Sequence, residues 1–317
     1  MNVATGDLTN DAAEQALEAA ERNFIEHGHG TIPGFFSPAD CRRLLSTAKA
    51  TRDLDALFLT EQEFDANPVF TRANPRPGRN LAEKLDTDFI FGDQAFVDLL
   101  TRLVGPRFRV LDYKFVMGLP ASLLPDWLKP RIEDRLVNNL GPYIRPEYRD
   151  MTYFHGIDYH QDIIDFPDRR GDFVTAYLYL DDVRKDSAPL HLLSDSHRFG
   201  ATEFPHALEH REGARYAYSD HTGRRMECEE LLLTGGPGDL SFWHSTILHG
   251  TQPQADDETR ISLRLLIEKN QAQDTGSWLD RLNRTIDGNL ALASTRRDVD
   301  ASGKAALTGN TINRQGK

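Results

Sequence analysis

Cysteine is scarce in this 317-residue sequence. Its two cysteines, Cys41 and Cys228, lie far apart and form no CxxC pair. Small secreted domains held by disulfides carry a much denser and paired set of cysteines. The sequence therefore argues against a disulfide scaffold, and the two residues are interpreted as ordinary thiols in a reducing compartment.

Long apolar runs are also missing. No stretch approaches the roughly 18 consecutive apolar residues that a membrane-spanning helix needs. Residues 1–11 contain neither the basic nor the apolar segment of a secretory signal. These absences predict a cytoplasmic protein that has no membrane partner.

Basic charge is the third deficit. The chain has 37 Lys and Arg against 49 Asp and Glu, a formal net charge of -12, and its basic residues are scattered along the sequence. Nucleic-acid partners select basic stripes or patches, so a nucleic-acid partner is not expected. Hydrophobic residues make up 39% of the chain, which is ordinary for a globular protein with a sizeable core. Nothing in the sequence predicts the oligomeric state.

The first third of the chain has helical periodicity. Residues 11–27 place apolar side chains at helical spacing, and Ser37 followed by Pro38 is a typical start of a second helix. A further helix is predicted over residues 94–104. Residues 1–110 are therefore expected to be largely helical.

The pattern changes to short β-runs after residue 110. The predicted strands cover residues 108–117, 159–163, 173–180, 190–193, 229–233, 239–243 and 260–268. Such spacing is typical of an all-β barrel or jelly roll. We expect one domain over residues 1–317, with a β core at 111–270 and a C-terminal helix and polar tail at 271–317. Two segments, 121–150 and 199–227, are predicted to shape a substrate pocket.

A His-x-Asp motif stands on the second of these runs. On a strand, the period of two places His160 and Asp162 on one face and turns Gln161 away. An imidazole and a carboxylate would then converge. The motif alone is a weak signal, because a surface pair of the same residues is common by chance.

A second histidine, His249, follows the strand predicted at residues 239–243. Two histidines and one carboxylate form a facial triad that leaves three open positions on octahedral Fe(II), whereas a structural zinc site needs a fourth protein ligand. The sequence therefore predicts His160, Asp162 and His249 as catalytic residues and metal ligands.

Three polar side chains share one face of the strand that begins at Arg260. Arg260, Ser262 and Arg264 alternate with Ile and Leu. A guanidinium and a hydroxyl together can bind the far carboxylate of a 2-oxo acid that chelates the metal. Arg260 and Ser262 are therefore predicted to bind such a 2-oxo acid. Arg264 either faces inward and binds an anionic group of the substrate, or is exposed on the strand.

The order and spacing of these motifs resemble the phytanoyl-CoA dioxygenase family. The resemblance is carried by residues 160–172, 189–197 and 238–260, and it extends over roughly residues 20–270. It implies a mainly β fold with flanking α-helices and a double-stranded β-helix core, the cupin-like jelly roll. It also implies Fe(II) on the triad, 2-oxoglutarate on Arg260, and O2 as the oxidant. The chain differs from the family pattern at turns, with Ser187-Ala188 in place of Asn-Gly.

The resemblance adds two weaker assignments. Tyr177 stands where the family often has a Trp beside 2-oxoglutarate, and Lys114 matches a lysine on the strand before the His-x-Asp motif. His244 competes with His249 as a ligand, but the family places the ligand before a Gly, as in His249. His191 is either a core histidine or a substrate-facing one.

The function that follows is a non-haem Fe(II) and 2-oxoglutarate dependent dioxygenase. We expect hydroxylation of an unactivated C–H of a small polar or anionic metabolite, with release of succinate and CO2. Asp162 argues against a halogenase, which has Gly or Ala at that position. Desaturation, epoxidation and ring formation stay open, as does a role in secondary metabolism rather than lipid catabolism. The alternatives are a cupin-like metal enzyme that does not use 2-oxoglutarate, and a non-catalytic binding protein on the same fold.

Overall fold

The computed structural model describes residues 10–66, 79–133, 135–166, 169–253, 255–292 and 296–298. Within these residues the α-helices are α1 (Asn10–His27), α2 (Pro38–Ala50), α3 (Glu61–Ala66), α4 (Asp88–Phe91), α5 (Gln94–Val104), α6 (Lys129–Ile132) and α7 (Trp278–Asn283). Among them, no helix has both the length and the apolar character to cross a membrane. Most of the predicted polar tail lies outside the described residues.

The strands run through the rest of the chain. They are β1 (His29–Ile32), β2 (Phe108–Gly118), β3 (Val137–Asn139), β4 (Thr152–His160), β5 (Phe173–Tyr179), β6 (Leu190–Leu193), β7 (Ala207–His210), β8 (Arg215–Ser219), β9 (Arg225–Leu233), β10 (Leu240–His244), β11 (Leu248–Thr251) and β12 (Arg260–Lys269). Most of the predicted strands are found with shifted ends. β3, β7 and β8 lie in segments 121–150 and 199–227, where no strand was predicted.

The twelve strands in the described residues form one continuous sheet that folds back on itself. Its order is β1-β10-β5-β12-β2-β4-β11-β6-β9-β8-β7, and β3 pairs with β4. Among these described strands, every pairing is antiparallel except that of β2 with β4. Tyr177 of β5 and Val116 of β2 pack in the same apolar cluster as Leu190 and Leu192 of β6. The two halves therefore face each other, and the predicted double-stranded β-helix is confirmed.

Strand β12 shows how this sheet separates a core from a cavity. Ile261, Leu263 and Leu265 lie on the face that packs against the helices, within the largest apolar cluster. The alternate residues of the strand point to the interior between the two halves of the sheet. The helices thus cover the outer face of the sheet and leave polar side chains of β12 to line its inside.

The helix ends follow the capping chemistry of the sequence. The Ser37 hydroxyl accepts a hydrogen bond from the Asp40 amide at 3.4 Å, and Pro38 is the first residue of α2, as predicted. The C-terminal helix predicted within residues 271–317 is short: sequence periodicity extends the prediction over residues 277–292, but α7 ends at Asn283. Beyond α7 the chain passes so close to Phe199 that a side chain at Gly288 would overlap its carbonyl oxygen. This tertiary contact replaces the predicted last turns of the helix.

Candidate active site

The three predicted metal ligands meet at a cavity between the two halves of the sheet. His160 is the last residue of β4, His249 lies on β11, and these two residues are direct partners in the β4–β11 pairing. Their rings are 4.3 Å apart between centroids. One ligand atom from each of His160, Asp162 and His249 lies within 4.8 Å of the others, and no other such group occurs among the described residues. The structure therefore brings the predicted triad together.

Backbone carbonyl groups orient both imidazole rings. His160 donates from Nδ1 to the carbonyl oxygen of Asp158 at 2.9 Å, and His249 donates from Nδ1 to that of Ile247 at 3.2 Å. The Nε2 atom of each ring is then the unprotonated one that can bind a metal. Burial lowers the pKa of His249 to about 3, so this ligand is neutral at physiological pH.

Asp162 reaches the site by a different route from the one predicted. Strand β4 ends at His160, and Asp162 begins a 3₁₀ turn over Asp162–Asp165. Gln161 is fully buried, and its side chain donates to the carbonyl oxygens of Gly200 and Thr246 at 2.8 and 2.7 Å. The argument from strand alternation was therefore wrong in detail. The anchored Gln161 turns the chain so that Asp162 faces His249.

Three donors hold the Asp162 carboxylate. Thr175 Oγ1 and Trp243 Nε1 donate to Oδ2 at 2.5 and 3.2 Å, and Arg264 Nη2 donates to Oδ1 at 2.6 Å. Burial opposes ionisation, but the electrostatic effects of His249 and Arg264 outweigh it and hold the pKa of Asp162 well below its usual value. A carboxylate offers about four lone-pair sites, so roughly one is left for a metal. One carboxylate oxygen and two imidazole nitrogens leave three positions open on an octahedral ion.

Arg260 and Ser262 lie further along the inner face of β12. Only 3% of the Arg260 surface is exposed, and none of its three guanidinium nitrogens has a hydrogen-bond partner in the described part of the chain. The buried Ser262 hydroxyl likewise has no hydrogen-bond partner among the described residues. The Phe154 ring, 5.4 Å from the guanidinium carbon, is the aromatic neighbour of this charge. A buried cation without a counter-charge is costly, so this end of the strand fits an anionic ligand.

Lys114, Tyr177 and Arg264 lie side by side on neighbouring strands of the cavity wall. Arg264 pairs in register with Lys114 of β2 and with Tyr177 of β5. Tyr177 stacks on Trp243 with ring centroids 5.3 Å apart, and burial raises the pKa of Tyr177. Burial also lowers the pKa of Lys114. All three predicted residues therefore line the cavity, and Arg264 faces inward.

Two sequence predictions about the cavity need correction. His191 does not line it, because β6 turns Leu190 inward and directs His191 to the opposite face. There its Nδ1 donates to Glu230 at 2.8 Å. Segment 199–227 forms the β7–β8 hairpin and the start of β9 and contributes nothing to the lining, whereas Val137 and Asn139 of segment 121–150 do contribute.

Other residues at the site were missed or set aside in the sequence analysis. Thr175 and Trp243 hold Asp162 but were considered only as strand residues. A polar Thr in the centre of the wholly buried β5 was the available signal. Arg296, within the predicted polar tail, lines the cavity and binds Asp165 at 3.1 Å, and no sequence signal indicated it. His244, the competing ligand, is fully buried and binds Thr246 and Asn283 instead.

Comparisons with solved structures agree with this architecture. The non-haem α-ketoglutarate dependent epimerase SnoN from nogalamycin biosynthesis matches with 16% identity and a TM-score of 0.50, covering 80% of this chain and 84% of that chain. SnoN in complex with Fe3+, α-ketoglutarate and nogalamycin RO matches over the same shares with 15% identity and a TM-score of 0.50. The carbocyclase SnoK of the same pathway has 12% identity and a TM-score of 0.47 over 92% of this chain and 96% of that chain. At such identities the likeness concerns the fold alone.

The fold and the site define a jelly-roll protein with a two-histidine, one-carboxylate metal centre. The sequence profile of the phytanoyl-CoA dioxygenase (PhyH) family matches residues 24–262. The chain therefore belongs to this family, as its motifs predicted, and to the class of iron and 2-oxoglutarate dependent enzymes. No curated protein sequence matches it.

Proposed function

We propose that the protein is a non-haem Fe(II) and 2-oxoglutarate dependent dioxygenase that hydroxylates a C–H bond of a small polar or anionic metabolite. One observation carries the proposal. The His160, Asp162 and His249 triad is assembled in a cavity that Arg264 also lines, and Arg260 lies on the same face of β12 as a buried cation that has no partner among the described residues. The first group fits Fe(II), and the second fits the distal carboxylate of 2-oxoglutarate.

The residues have separate roles in this proposal. His160, Asp162 and His249 hold the iron, while Arg260 and Ser262 bind the distal carboxylate of 2-oxoglutarate. Tyr177 lines the cavity and stacks on the buried Trp243, which donates to Asp162. When bound, iron and 2-oxoglutarate supply an oxidation by O2 that releases succinate and CO2. Thr175, Trp243 and Arg264 keep Asp162 ionised and oriented for this purpose.

The triad and Arg260 together argue against two alternatives, a cupin-like metal enzyme that does not use 2-oxoglutarate and a non-catalytic binding protein. A cupin-like enzyme that needs no 2-oxo acid would have no use for a buried, unpartnered arginine on the strand that also contacts its metal ligand. A non-catalytic protein would have no reason to retain both the triad and that arginine, since the buried cation is costly. Hydroxylation is the default outcome of this chemistry. A place in secondary metabolism and a cytoplasmic location stay predictions from the sequence.

The decisive test is anaerobic reconstitution with Fe(II) and 2-oxoglutarate. We expect the weak visible charge-transfer band of the iron chelate, and a weaker band at equal 2-oxoglutarate in Arg260→Met. Bound iron without such a band would reject 2-oxoglutarate as the co-substrate. If the band appears, incorporation of one atom of labelled O2 into a product distinguishes hydroxylation from desaturation or ring formation.

A further inference from the structure

Two basic side chains form a cationic wall in the cavity. The cationic wall consists of Lys114 on β2 and Arg264 on β12, which are direct partners across the two strands. Both line the cavity, and their side chains are only 8% and 14% exposed. Like charges placed directly opposite on a sheet repel each other, and burial strengthens that repulsion. Such a pair needs a compensating negative charge.

Several hydrogen-bond donors of the cationic wall have no partner in the described part of the protein. Arg264 uses Nη2 for Asp162, while its Nε and Nη1 make no hydrogen bond to the described residues. Lys114 has one ion pair in the part of the chain that the structure describes, with Asp112 at 3.3 Å, and the Asp112 side chain is 41% exposed. Arg296, a third basic residue of the cavity, is already paired with Asp165 and Asp298. Donors of the cationic wall therefore stay available to a ligand.

The expected cofactors do not neutralise the cationic wall. The two positive charges of Fe(II) and that of Arg260 balance the two carboxylates of 2-oxoglutarate and the carboxylate of Asp162. Lys114 and Arg264 then lie beside Asp112, and Asp165, which Arg296 shares with Asp298, acts electrostatically on Lys114 without forming an ion pair with it. Lys114 also lies opposite Arg264 and not opposite Arg260, which pairs with Gly118 four residues along β2. Four residues of strand span about 13 Å, so the cationic wall and the 2-oxoglutarate arginine are separate positions.

We propose, building on the function above, that the cationic wall binds a carboxylate or phosphate group of the substrate that is oxidised. Lys114 and the free donors of Arg264 bind this oxyanion from two sides. Arg264 is one hydrogen bond from the iron ligand Asp162, so the oxyanion lies close to the metal. The oxidised carbon is therefore within a few bonds of the acidic group. Phe154, Ile157 and Leu190 line the same cavity and favour an apolar body for the rest of the substrate.

The proposal is tested by NMR relaxation with two minimal anions. The protein is loaded with Mn(II), which binds the same nitrogen and oxygen ligands as Fe(II) and enhances the relaxation of nearby nuclei. Inorganic phosphate is followed by its phosphorus signal and labelled acetate by its carbon signal, both with 2-oxoglutarate at saturation, and neutral acetamide serves as the reference. We expect enhanced relaxation of at least one anion and none of acetamide. Which anion responds distinguishes a phosphate from a carboxylate substrate.

Matched variants assign the effect to the cationic wall. Lys114→Met, which leaves the Arg264–Asp162 pair intact, is expected to weaken anion binding about tenfold and to leave the affinity for 2-oxoglutarate unchanged. The exposed Lys185→Met is the matched control and is expected to behave as the wild type. Enhancement that survives Lys114→Met would mean that the anion binds the metal itself and would overturn the proposal. So would weaker 2-oxoglutarate binding in Lys114→Met, which would make Lys114 a cofactor ligand, as the family resemblance implies.

The same experiment separates this proposal from the proposed function. If 2-oxoglutarate does not bind the Mn(II)-loaded protein, Arg260→Met cannot change its affinity for 2-oxoglutarate. In that case the dioxygenase assignment fails. The relaxation of phosphate and acetate can still be measured without 2-oxoglutarate. Its dependence on Lys114 then decides the anion site by itself. Equal relaxation of acetamide and acetate would reject the anion site even if 2-oxoglutarate binds as expected.

Discussion

The two ends of the inner face of β12 each carry a buried arginine, but only one of these arginines is paired with a carboxylate. At one end, Arg264 is paired with Asp162, which also accepts hydrogen bonds from Thr175 and Trp243. At the other end, Arg260 is more deeply buried and has no partner among the described residues. The metal end is thus organised before any ligand binds, whereas the Arg260 end is complete only with an anion in place.

This difference indicates what each end contributes to binding. A preorganised carboxylate binds a metal without first breaking or forming contacts, so its orientation is fixed in advance. An unpartnered buried cation destabilises the ligand-free protein, and a bound carboxylate relieves that cost. The protein should therefore gain stability from 2-oxoglutarate through Arg260 and gain metal affinity through the donors around Asp162.

The largest effect is expected from removing the carboxylate at the metal end. Asp162→Ala should abolish substrate-dependent succinate formation, because no neighbouring side chain can replace the charge and the ligand atom. Iron content after reconstitution and succinate release measure the loss, and circular dichroism checks the fold. The exposed Asp126→Ala is the control, with unchanged activity expected. Full turnover in Asp162→Ala would remove this residue from the metal site.

The next largest effect is expected at the Arg260 end. Arg260→Met should weaken 2-oxoglutarate binding about 100-fold, equal to about 2.7 kcal/mol, because it removes a buried charge pair. The same change should raise the melting temperature of the ligand-free protein, since an uncompensated buried charge is lost. Titration of the visible band and thermal unfolding test the two parts. A lower melting temperature without ligand would contradict the account of Arg260 as unpartnered.

Much of this comparison could be predicted from the sequence. The period of two in β12 predicted that Arg260, Ser262 and Arg264 share a face, and the motif order predicted the triad. Residue spacing could not show that β4 ends at His160, because that bend depends on Gln161 binding the distant carbonyl groups of Gly200 and Thr246.

Two other features of the site could not be predicted from the sequence either. The pairing of Arg264 with Asp162 joins residues 102 positions apart, and only the folded sheet brings them together. His191 was misplaced for a similar reason. Its side chain points away from the cavity because the register of β6 with β9 and β11 turns Leu190 and Leu192 towards the interior of the double-stranded sheet.

A smaller effect is expected from weakening the preorganised end without removing a ligand. Thr175→Val keeps the shape of the side chain but loses the hydroxyl that donates to Asp162. Metal affinity should fall about tenfold, as is usual when a hydrogen bond to a ligating carboxylate is removed. Competition with a chelator measures it. Thr31→Val loses a comparable hydrogen bond to Ser241 on β10, away from the metal, and should leave the affinity unchanged. Equal losses in both variants would indicate a general effect on stability.

The smallest effect is expected from Ser262, which tests whether an unpartnered group at the Arg260 end binds ligand or is only tolerated. Ser262 and Ser245 are both fully buried, and neither hydroxyl has a partner among the described residues. Replacing either with Ala should change the stability of the ligand-free protein little, because an unsatisfied group is removed. Only Ser262→Ala should weaken 2-oxoglutarate binding, by about fivefold, which corresponds to one hydrogen bond of about 1 kcal/mol. Equal affinities in the two variants would leave Arg260 as the sole predicted anchor of the distal carboxylate.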